Sequence, residues 1–184
     1  AVRAAKEICD QLVADAEIGD YELIVVDDAS TDRTAEYADA LVAADPRIRV
    51  VHHERNRKLG GSIKSGFAAA TGDVVLYTDA DLPFEMIELV RALRVLRNYE
   101  ADMVCAYRLD RTGEGLRRAV YSWIYNWLIQ LSFGTRLRDI NFAFKLSRRR
   151  VVEAVGLSSA GSFIDAQLVV RAQKAGFTIL QIGV

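Results

Sequence analysis

The sequence predicts an α/β fold in which a mostly parallel sheet is covered by helices on both faces. Short apolar runs typical of buried strands alternate with amphipathic segments through the first two thirds of the 184 residues. Strands that are apolar throughout are typical of parallel sheets, because crossover helices cover both faces. Acidic residues follow two of these runs, at the sheet edge where α/β proteins bind ligands.

Composition limits the class of protein. The chain is 51% hydrophobic and 27% charged, with 24 basic and 25 acidic residues, which suits one domain with a sizeable core. A net charge near zero gives no reason to expect nucleic acid binding. Cys9 and Cys105 lie far apart without metal-ligand spacing, so we expect buried, reduced thiols in a cytosolic protein. We expect neither a signal peptide nor a membrane-spanning helix.

Hydrophobic periodicity and turn residues assign the first half of the chain. Apolar residues at helical spacing predict helices, and Pro46 stops one of them. Nearly continuous apolar runs predict strands, the third of which lies between Gly72 and Pro83 and is expected to be buried on both faces. The predicted order is a helix at 1–14, a strand at 21–26, a helix ending before Asp45, a strand at 48–52, a helix at 63–70 and a strand at 74–78.

The same patterns assign the second half. The segment 116–133 is apolar nearly all round and carries Trp123 and Trp127, which fits a buried core helix or a helix at a membrane surface. The predicted order is a helix at 86–96, a strand at 103–107, a helix at 116–133, an extended stretch at 139–146, helices at 148–155 and 164–174, and a strand at 177–182.

Asp79 and Asp81 follow the strand at 74–78 with only Ala80 between them. Side chains two apart in an extended segment point the same way, so both carboxylates can face one ligand. Like charges this close repel unless a cation or strong donors hold them. A hard ion such as Mg2+ or Mn2+, itself holding phosphate oxygens, meets that need. A solvated turn before Pro83 is the alternative.

Asp27 and Asp28 follow the strand at 21–26, and we expect both acidic loops at the same edge of the sheet. A carboxylate there can accept a hydrogen bond from a nucleotide base or a ribose hydroxyl. Turn formation and helix capping are the alternative, but residues 30–32 already supply those functions.

Two basic features are suited to phosphate. The segment 55–66 contains Lys58, Gly60 and Gly61 and resembles a phosphate cradle at a helix N-terminus, although its glycine spacing is that of neither a P-loop nor a dinucleotide site. A flexible basic loop is the alternative. Arg108 follows the strand at 103–107, and its guanidinium matches two diphosphate oxygens, unless it is a surface arginine.

Two further features have simpler explanations. Asp165 opens a helix, where an N-cap role explains it without catalysis. The sequence shows no acidic or cysteine partner for His52 and His53, so it assigns them no role.

Three blocks in order resemble family-2 glycosyltransferases, inverting enzymes of the GT-A fold. Residues 25–34 resemble the V-D-D-x-S-x-D-x-T block, residues 56–73 the glycine-rich loop, helix and A-T-G-D, and residues 79–82 the D-x-D motif for metal and diphosphate. The resemblance covers essentially the whole chain. It implies one catalytic domain over 1–184 with a Rossmann-like nucleotide-diphospho-sugar transferase fold, whose first strand and C-terminal basic segment would lie beyond the two ends.

Within that family, the chain resembles the dolichyl- and polyprenyl-phosphate sugar synthases. The sequence Asp-Ala-Asp-Leu is their form of the metal motif, and residues 139–145 resemble their D-x-x-x-G-F-[RK] segment. Residues 163–168 resemble their F-x-x-[DE]-x-E-L helix, with Gln167 in place of the usual glutamate. Pro83 stands where many relatives have a glutamine metal ligand.

The resemblance and the loop patterns together assign the expected site. Asp79 and Asp81 would hold Mg2+ or Mn2+, and the catalytic set would be Asp81, Arg118 and Asp165. The acceptor phosphate would lie at Arg117, Arg118 and Ser122. The donor would be bound by Val26, Asp27, Asp28, Lys58, Gly60, Asp79, Ala80, Asp81 and Arg108.

The implied function is metal-dependent transfer of a hexose from a UDP- or GDP-sugar to a polyprenyl phosphate at the cytoplasmic face of a membrane. An anionic acceptor needs positioning by Arg118, whereas a hydroxyl acceptor would need a base, for which Asp165 is the candidate. The alternatives are transfer to a saccharide or other soluble acceptor, and a nucleotide-sugar-binding module without catalysis. The base, the sugar and the formation of a homo-oligomer stay open.

Overall fold

The structure is a computed structural model that describes residues 1–109, 127–131, 134 and 137–184. Residues 127–131 are helical. The other helices of this part are α1 (Val2–Ala14), α2 (Thr34–Ala44), α3 (Lys58–Ala69), α4 (Glu88–Asn98), α5 (Arg149–Ala154) and α6 (Phe163–Lys174). The strands are β1 (Leu23–Asp27), β2 (Ile48–His52), β3 (Val74–Thr78), β4 (Met103–Tyr107), β5 (Phe144–Arg148) and β6 (Ile179–Gly183).

The described strands form two sheets. β1 and β2 pair in parallel, with Asp27 opposite His52. The second sheet has the order β3-β5-β4-β6. In it β5 is antiparallel to β3 and to β4, while β4 and β6 are parallel. Only β5 runs against its neighbours, so the predicted mostly parallel α/β arrangement is confirmed.

Strands β4 and β5 form the centre of the core, since four of the five residues in each are buried. The sheet face that carries Phe144 and Leu146 packs against α1 and α4. The opposite face, with Met103 and Cys105, packs against α5 and α6. Helices therefore cover both faces of this sheet, and Cys9 and Cys105 are buried free thiols as predicted.

Strand β3 differs from the prediction that it is buried on both faces. All five of its residues are only half-buried. Among the described strands β3 pairs only with β5 and β1 only with β2, so each has one edge without a neighbour. Apolar composition predicted the strand correctly, but it does not report how many neighbouring strands cover it.

Two predicted boundaries in the loops are also corrected. Helix α3 begins at Lys58 rather than near residue 63, so Gly60 and Gly61 lie in its first turn and not in a loop. The stretch from residue 139 turns before it extends, because Phe142 N–H donates to the Asp139 carbonyl, and β5 begins only at Phe144. Most of the predicted helix 116–133 lies outside the described residues. Within the described ranges, no helix has the length and apolar character needed to cross a bilayer.

Candidate active site

Two carboxylate pairs lie where β1 and β3 end: Asp27 with Asp28, and Asp79 with Asp81. The backbone takes left-handed φ angles directly after each pair and at the start of α3, at Ala29 (60°), Leu82 (47°) and Lys58 (61°). Residues other than glycine rarely adopt this backbone region, which costs about 1–3 kcal/mol per residue. Such strain persists where the surrounding contacts impose it, and it concentrates at functional sites.

Asp27 is engaged through both carboxylate oxygens. Oδ1 accepts from the Ser30 N–H at 3.0 Å, and Oδ2 lies 3.0 Å from His52 Nδ1. The other ring nitrogen of His52 lies 3.0 Å from Asp39 Oδ1. The bonds from Ser30 and His52 lower the pKa of Asp27, and the two carboxylates raise the pKa of His52. Asp27 is thus held as an anion by its own turn.

Asp28 is held in the same way by the next histidine. Its Oδ1 lies 2.7 Å from His53 Nδ1 and accepts from the Arg57 N–H at 2.7 Å. His53 Nε2 lies 2.8 Å from Ser65 Oγ in α3. Burial is the largest influence on the pKa of Asp28 and raises it, but the bonds from Arg57 and His53 outweigh burial and lower that pKa.

The two histidines were missed because their acidic partners are distant in sequence. The parallel register of β1 and β2 sets His52 opposite Asp27, and the following residues His53 and Asp28 meet beyond the strand ends. Two acids directly after one predicted strand and two histidines at the end of the next formed the available signal. If those two strands pair in parallel, the acids and the histidines lie side by side and can form contacts.

Asp79 and Asp81 are exposed and nearly without donors. The Asp79 carboxylate accepts only from Tyr77 Oη, at 3.4 Å, and the Asp81 carboxylate accepts no hydrogen bond from the described residues. Desolvation by the surrounding protein and then the negative charges of Asp81 and Asp165 raise the pKa of Asp79. Repulsion of this kind favours the binding of a cation.

A buried ion pair lies next to this loop. Lys145 Nζ donates to Asp165 Oδ1 at 2.6 Å, and the two side chains are 1% and 3% exposed. Lys145 also donates to the Phe142 carbonyl at 2.8 Å and lies 5.4 Å from the centre of the Tyr77 ring. Tyr77 is the partner of Lys145 across β3 and β5, which brings the pair close to Asp79.

The donor set of this loop fits Mg2+ or Mn2+. Asp79 interacts electrostatically with Asp81, Asp165 and Lys145, and the four ionised groups together carry a net charge of −2. Hard divalent ions take oxygen ligands and keep waters or substrate phosphates in their coordination shell. Within the described ranges, no three His, Cys, Asp or Glu side chains are grouped as a metal site. Further ligands would therefore come from water or from a bound diphosphate.

Asp165 is not the N-cap residue of its helix. Its helix α6 has Ser162 as N-cap residue, and no side chain caps it. The Asp165 carboxylate instead binds Lys145 in the core, so the candidate base is an ion-paired group that is 3% exposed. Local capping rules could not predict this contact, because Lys145 lies 20 positions before Asp165 and belongs to a strand.

Contacts along α3 connect the Asp27–Asp28 loop to the loop that precedes α6. Asp28 binds the N–H of Arg57, directly before α3. Gly60, in the first turn of α3, donates its N–H to the Ala160 carbonyl at 2.9 Å, and an added Cβ on Gly60 would lie 2.3 Å from the Ser159 carbonyl oxygen. The loop that contains Ser159 and Ala160 leads directly into α6 and Asp165. In this structure the Gly60 N–H therefore binds the loop before α6 rather than pointing into solvent as part of a phosphate cradle.

Gln167 braces the same loop from α6. Its Oε1 accepts from the N–H groups of Ser158 and Ser159 at 2.8 and 2.9 Å, and its Nε2 donates to Ser158 Oγ. A glutamine can make both kinds of bond, whereas an ionised glutamate only accepts.

Arg108 lies directly after β4 and is oriented by a buried carboxylate. Its Nε donates to Asp139 Oδ2 at 3.0 Å, and the Asp139 side chain is 2% exposed. The guanidinium also lies 5.4 Å from the centre of the Phe142 ring. These contacts fix the plane of the guanidinium, which is what two-point recognition of phosphate requires.

The remaining predicted residues lie as follows. Val26 is in β1, and an added Cβ on Gly66 of α3 would lie 3.5 Å from its Cγ2. Ala80 is exposed between the two carboxylates. The predicted acceptor residues Arg117, Arg118 and Ser122 lie outside the described residues.

The structure is an α/β fold in which one acidic loop is held by hydrogen bonds and a second acidic loop has few donors among the described residues. The chain belongs to glycosyl transferase family 2, whose family model matches residues 2–156.

Curated relatives include proteins named for lipid-phosphate acceptors. The chain is 36% identical over 166 residues to glycosyltransferase AglD of Haloferax volcanii, covering 88% of this chain and 27% of that protein. It is 28% identical over 175 residues to the undecaprenyl-phosphate mannosyltransferase of Micrococcus luteus, covering 90% and 71%. It is 29% identical over 138 residues to the dodecaprenyl-phosphate galacturonate synthase of Rhizobium johnstonii, covering 74% and 41%. The chain thus spans less than half the length of two of these relatives.

Solved structures with the same fold are glycosyltransferases of the GT-A type. Glucosyl-3-phosphoglycerate synthase of Mycobacterium tuberculosis with Mn2+ and UDP-glucose has a TM-score of 0.66 at 19% identity, covering 95% of this chain and 64% of that one. A mannosyltransferase of Pyrobaculum calidifontis with GDP-mannose and Mn2+ has a TM-score of 0.64 at 20% identity, covering 88% and 45%. Identity this low establishes the shared fold alone.

Proposed function

We propose that this protein transfers a hexose from a UDP- or GDP-sugar to a polyprenyl phosphate, with inversion at the anomeric carbon and with Mg2+ or Mn2+. Membership of glycosyl transferase family 2 supports the reaction class. The names of the Micrococcus and Rhizobium relatives support a polyprenyl phosphate acceptor. The acceptor lipid places the reaction at a membrane surface, for which we propose the cytoplasmic face.

The observation that carries the acceptor class is the burial of Asp165. A sugar hydroxyl acceptor needs a base to take its proton. Asp165, the candidate base, is 3% exposed and bound to Lys145. A phosphate acceptor is already an anion and needs only to be positioned in line with the anomeric carbon. The site therefore favours an acceptor that carries its own negative charge.

The described residues divide the donor between them. Asp28 would accept a hydrogen bond from the nucleoside, since its carboxylate is held ionised beside the strand end. Asp79 and Asp81 would hold the metal ion, which when bound stabilises the negative charge that develops on the leaving diphosphate. Arg108, oriented by Asp139, would bind diphosphate oxygens.

The predicted acceptor contacts stay part of the proposal. Arg117, Arg118 and Ser122 are assigned to the acceptor phosphate by their family positions. Arg118 would orient the attacking oxygen, and because the acceptor is anionic it would do so without removing a proton.

The test is release of UDP or GDP from a panel of nucleotide hexoses. Each reaction is run with and without Mn2+ or Mg2+, and with and without a short polyprenyl phosphate. We expect release that needs both the metal and the lipid phosphate, and the productive donor identifies the base and the sugar. Metal-dependent release that is indifferent to lipid would move the assignment to a soluble acceptor. Binding without release would leave a nucleotide-sugar-binding module.

A further inference from the structure

We propose that His53 is a positioning residue for donor binding, which orients Asp28 so that its Oδ2 oxygen meets the nucleoside. This inference rests on the proposed function, because Asp28 is the residue to which that function assigns the nucleoside contact. It adds a residue to the donor site that lies on the neighbouring strand connection, outside the acidic motif.

The side-chain exposures show that His53 acts through Asp28. His53 is 2% exposed, whereas Asp28 is 21% exposed. A ligand in solvent can therefore reach the carboxylate but not the imidazole. His53 lies behind Asp28, 2.7 Å from its Oδ1, and cannot itself touch a nucleotide in this arrangement.

The direction of the hydrogen bonds is set by chemistry. An ionised carboxylate only accepts, so His53 Nδ1 carries the proton that points at Asp28. Nε2 forms the second hydrogen bond of the ring, with the Ser65 hydroxyl 2.8 Å away. Two anchors, one on α3 and one on the β1 loop, fix the plane of the imidazole.

The consequence falls on the two oxygens of Asp28. His53 Nδ1 and the Arg57 N–H both bind Oδ1, each at 2.7 Å. A carboxylate held by two donors at one oxygen cannot rotate without losing both bonds, so Oδ2 has a fixed direction. Oδ2 is then the acceptor suited to an N–H of a nucleotide base, and uracil and guanine both present such a donor.

A hydrolytic role for this Asp-His-Ser arrangement is excluded by its surroundings. Ser65 lies inside α3, eight residues into a helix that spans Lys58–Ala69. The backbone N–H groups around a serine in a helix interior bond to carbonyls one turn back, so they supply no oxyanion hole. Without those donors the order of residues resembles a hydrolase triad but lacks its chemistry.

The experiment compares two amide replacements of the same histidine. In His53→Asn the side-chain amide can reach the position of Nδ1 and still donate to Asp28, whereas in His53→Gln it reaches the position of Nε2 and meets Ser65 instead. We measure the Kd of UDP and GDP by calorimetry in the presence of Mn2+. Inorganic pyrophosphate serves as the probe that lacks a base, and thermal unfolding is recorded for every variant.

The inference predicts a split between the two variants. His53→Asn should bind the preferred nucleotide within about 3-fold of wild type, while His53→Gln should bind it roughly 10- to 100-fold more weakly because a charge-assisted hydrogen bond is lost. Pyrophosphate affinity should stay unchanged in both. Equal nucleotide affinities in the two variants, or equal losses for nucleotide and pyrophosphate, would overturn the inference while leaving the proposed function intact. A wild-type protein that binds neither UDP nor GDP would overturn both.

Ser65→Ala provides a second variant if His53→Gln does not fold. It removes the anchor on Nε2 and keeps the bond to Asp28. We expect about 3-fold weaker nucleotide binding with unchanged pyrophosphate binding, the size typical of one neutral hydrogen bond. An unchanged nucleotide Kd would contradict the proposed role of the Ser65 anchor in orienting His53.

Discussion

Each of the two acidic loops carries a pair of aspartates, but the two pairs differ in their hydrogen bonds and in the direction of their pKa shifts. Asp27 and Asp28 accept bonds from two histidines and from backbone N–H groups, and their pKa values are lowered. Asp79 and Asp81 are exposed and accept almost no hydrogen bonds from the part of the chain that the structure describes, and the pKa of Asp79 is raised. The protein stabilises the Asp27–Asp28 pair as anions, whereas a bound cation would stabilise the Asp79–Asp81 pair.

Under the proposed function, this difference assigns the nucleoside and the diphosphate of a nucleotide sugar to different loops. A nucleoside offers neutral N–H and O–H donors, which are best met by a carboxylate whose charge and direction are already fixed. A diphosphate is an anion and meets two carboxylates favourably only through a cation. The satisfied pair therefore suits the nucleoside, and the unsatisfied pair suits the metal and the diphosphate.

The largest effect is expected from the buried lysine beside the second pair. Lys145→Met leaves Asp165 as a buried charge without its partner, which should lower the free energy of unfolding by about 3–5 kcal/mol. Urea denaturation measures this loss, and adding Asp165→Leu should recover most of it. Arg33→Ala, which breaks an exposed ion pair with Glu36, is the control and should cost no more than about 1 kcal/mol. Equal losses for Lys145→Met and Arg33→Ala would contradict the account of this ion pair.

The next effect is expected at the unsatisfied pair itself. Asp81→Ala should reduce metal-dependent nucleotide release by at least about 100-fold, because the cation loses one of its two carboxylates. Thermal stability should not fall, since removing one of two repelling charges costs nothing in the absence of metal. Glu85→Ala, at an exposed acid close by in sequence, is the matched control and should retain release. Release retained by Asp81→Ala would remove the metal role.

A smaller effect is expected at the arginine after β4. Arg108→Lys keeps the charge but loses the planar fork that matches two phosphate oxygens, so the Kd for UDP or GDP with Mn2+ should rise by about 10-fold. Asp139→Asn should weaken binding less, because it only loosens the guanidinium. Calorimetry on both variants distinguishes the two roles. Unchanged affinity in Arg108→Lys would place the diphosphate elsewhere.

The smallest effect is a pH dependence at the satisfied pair. The raised pKa of His52 contributes stability below its ordinary value of 6.5, which is lost as pH rises through the raised pKa. The lowered pKa of Asp27 contributes stability above its ordinary value of 3.8, which is lost as pH falls. Both contributions are present between those two values. His52→Gln should therefore cost most stability at about pH 5.5 and least at about pH 8.5 in urea unfolding.

The control for this pH series is Asp39→Asn, which removes the second partner of His52 and should show the same trend with a smaller amplitude. A loss that does not change with pH would show that the charge on His52 contributes nothing.

Local patterns in the sequence predicted most of the fold and the carboxylates of the site. The apolar runs placed β2, β3 and β4 at their observed bounds. The contacts of those carboxylates were not predictable in the same way. The His52 and His53 contacts depend on the register between two strands, and the Lys145–Asp165 pair depends on packing a helix against a sheet. Such contacts join residues far apart in the chain, beyond the reach of periodicity or capping rules.

The most direct test of the division between the loops is Mn2+ binding, followed by the loss of the free-ion electron paramagnetic resonance signal. Mn2+ should bind weakly to the protein alone and much more tightly when pyrophosphate is present, because the carboxylate pair fills only part of the shell. Asp81→Asn should abolish this Mn2+ binding. Asp28→Asn should leave Mn2+ binding unchanged while weakening the binding of UDP or GDP. Loss of Mn2+ and pyrophosphate binding in Asp28→Asn would contradict the account.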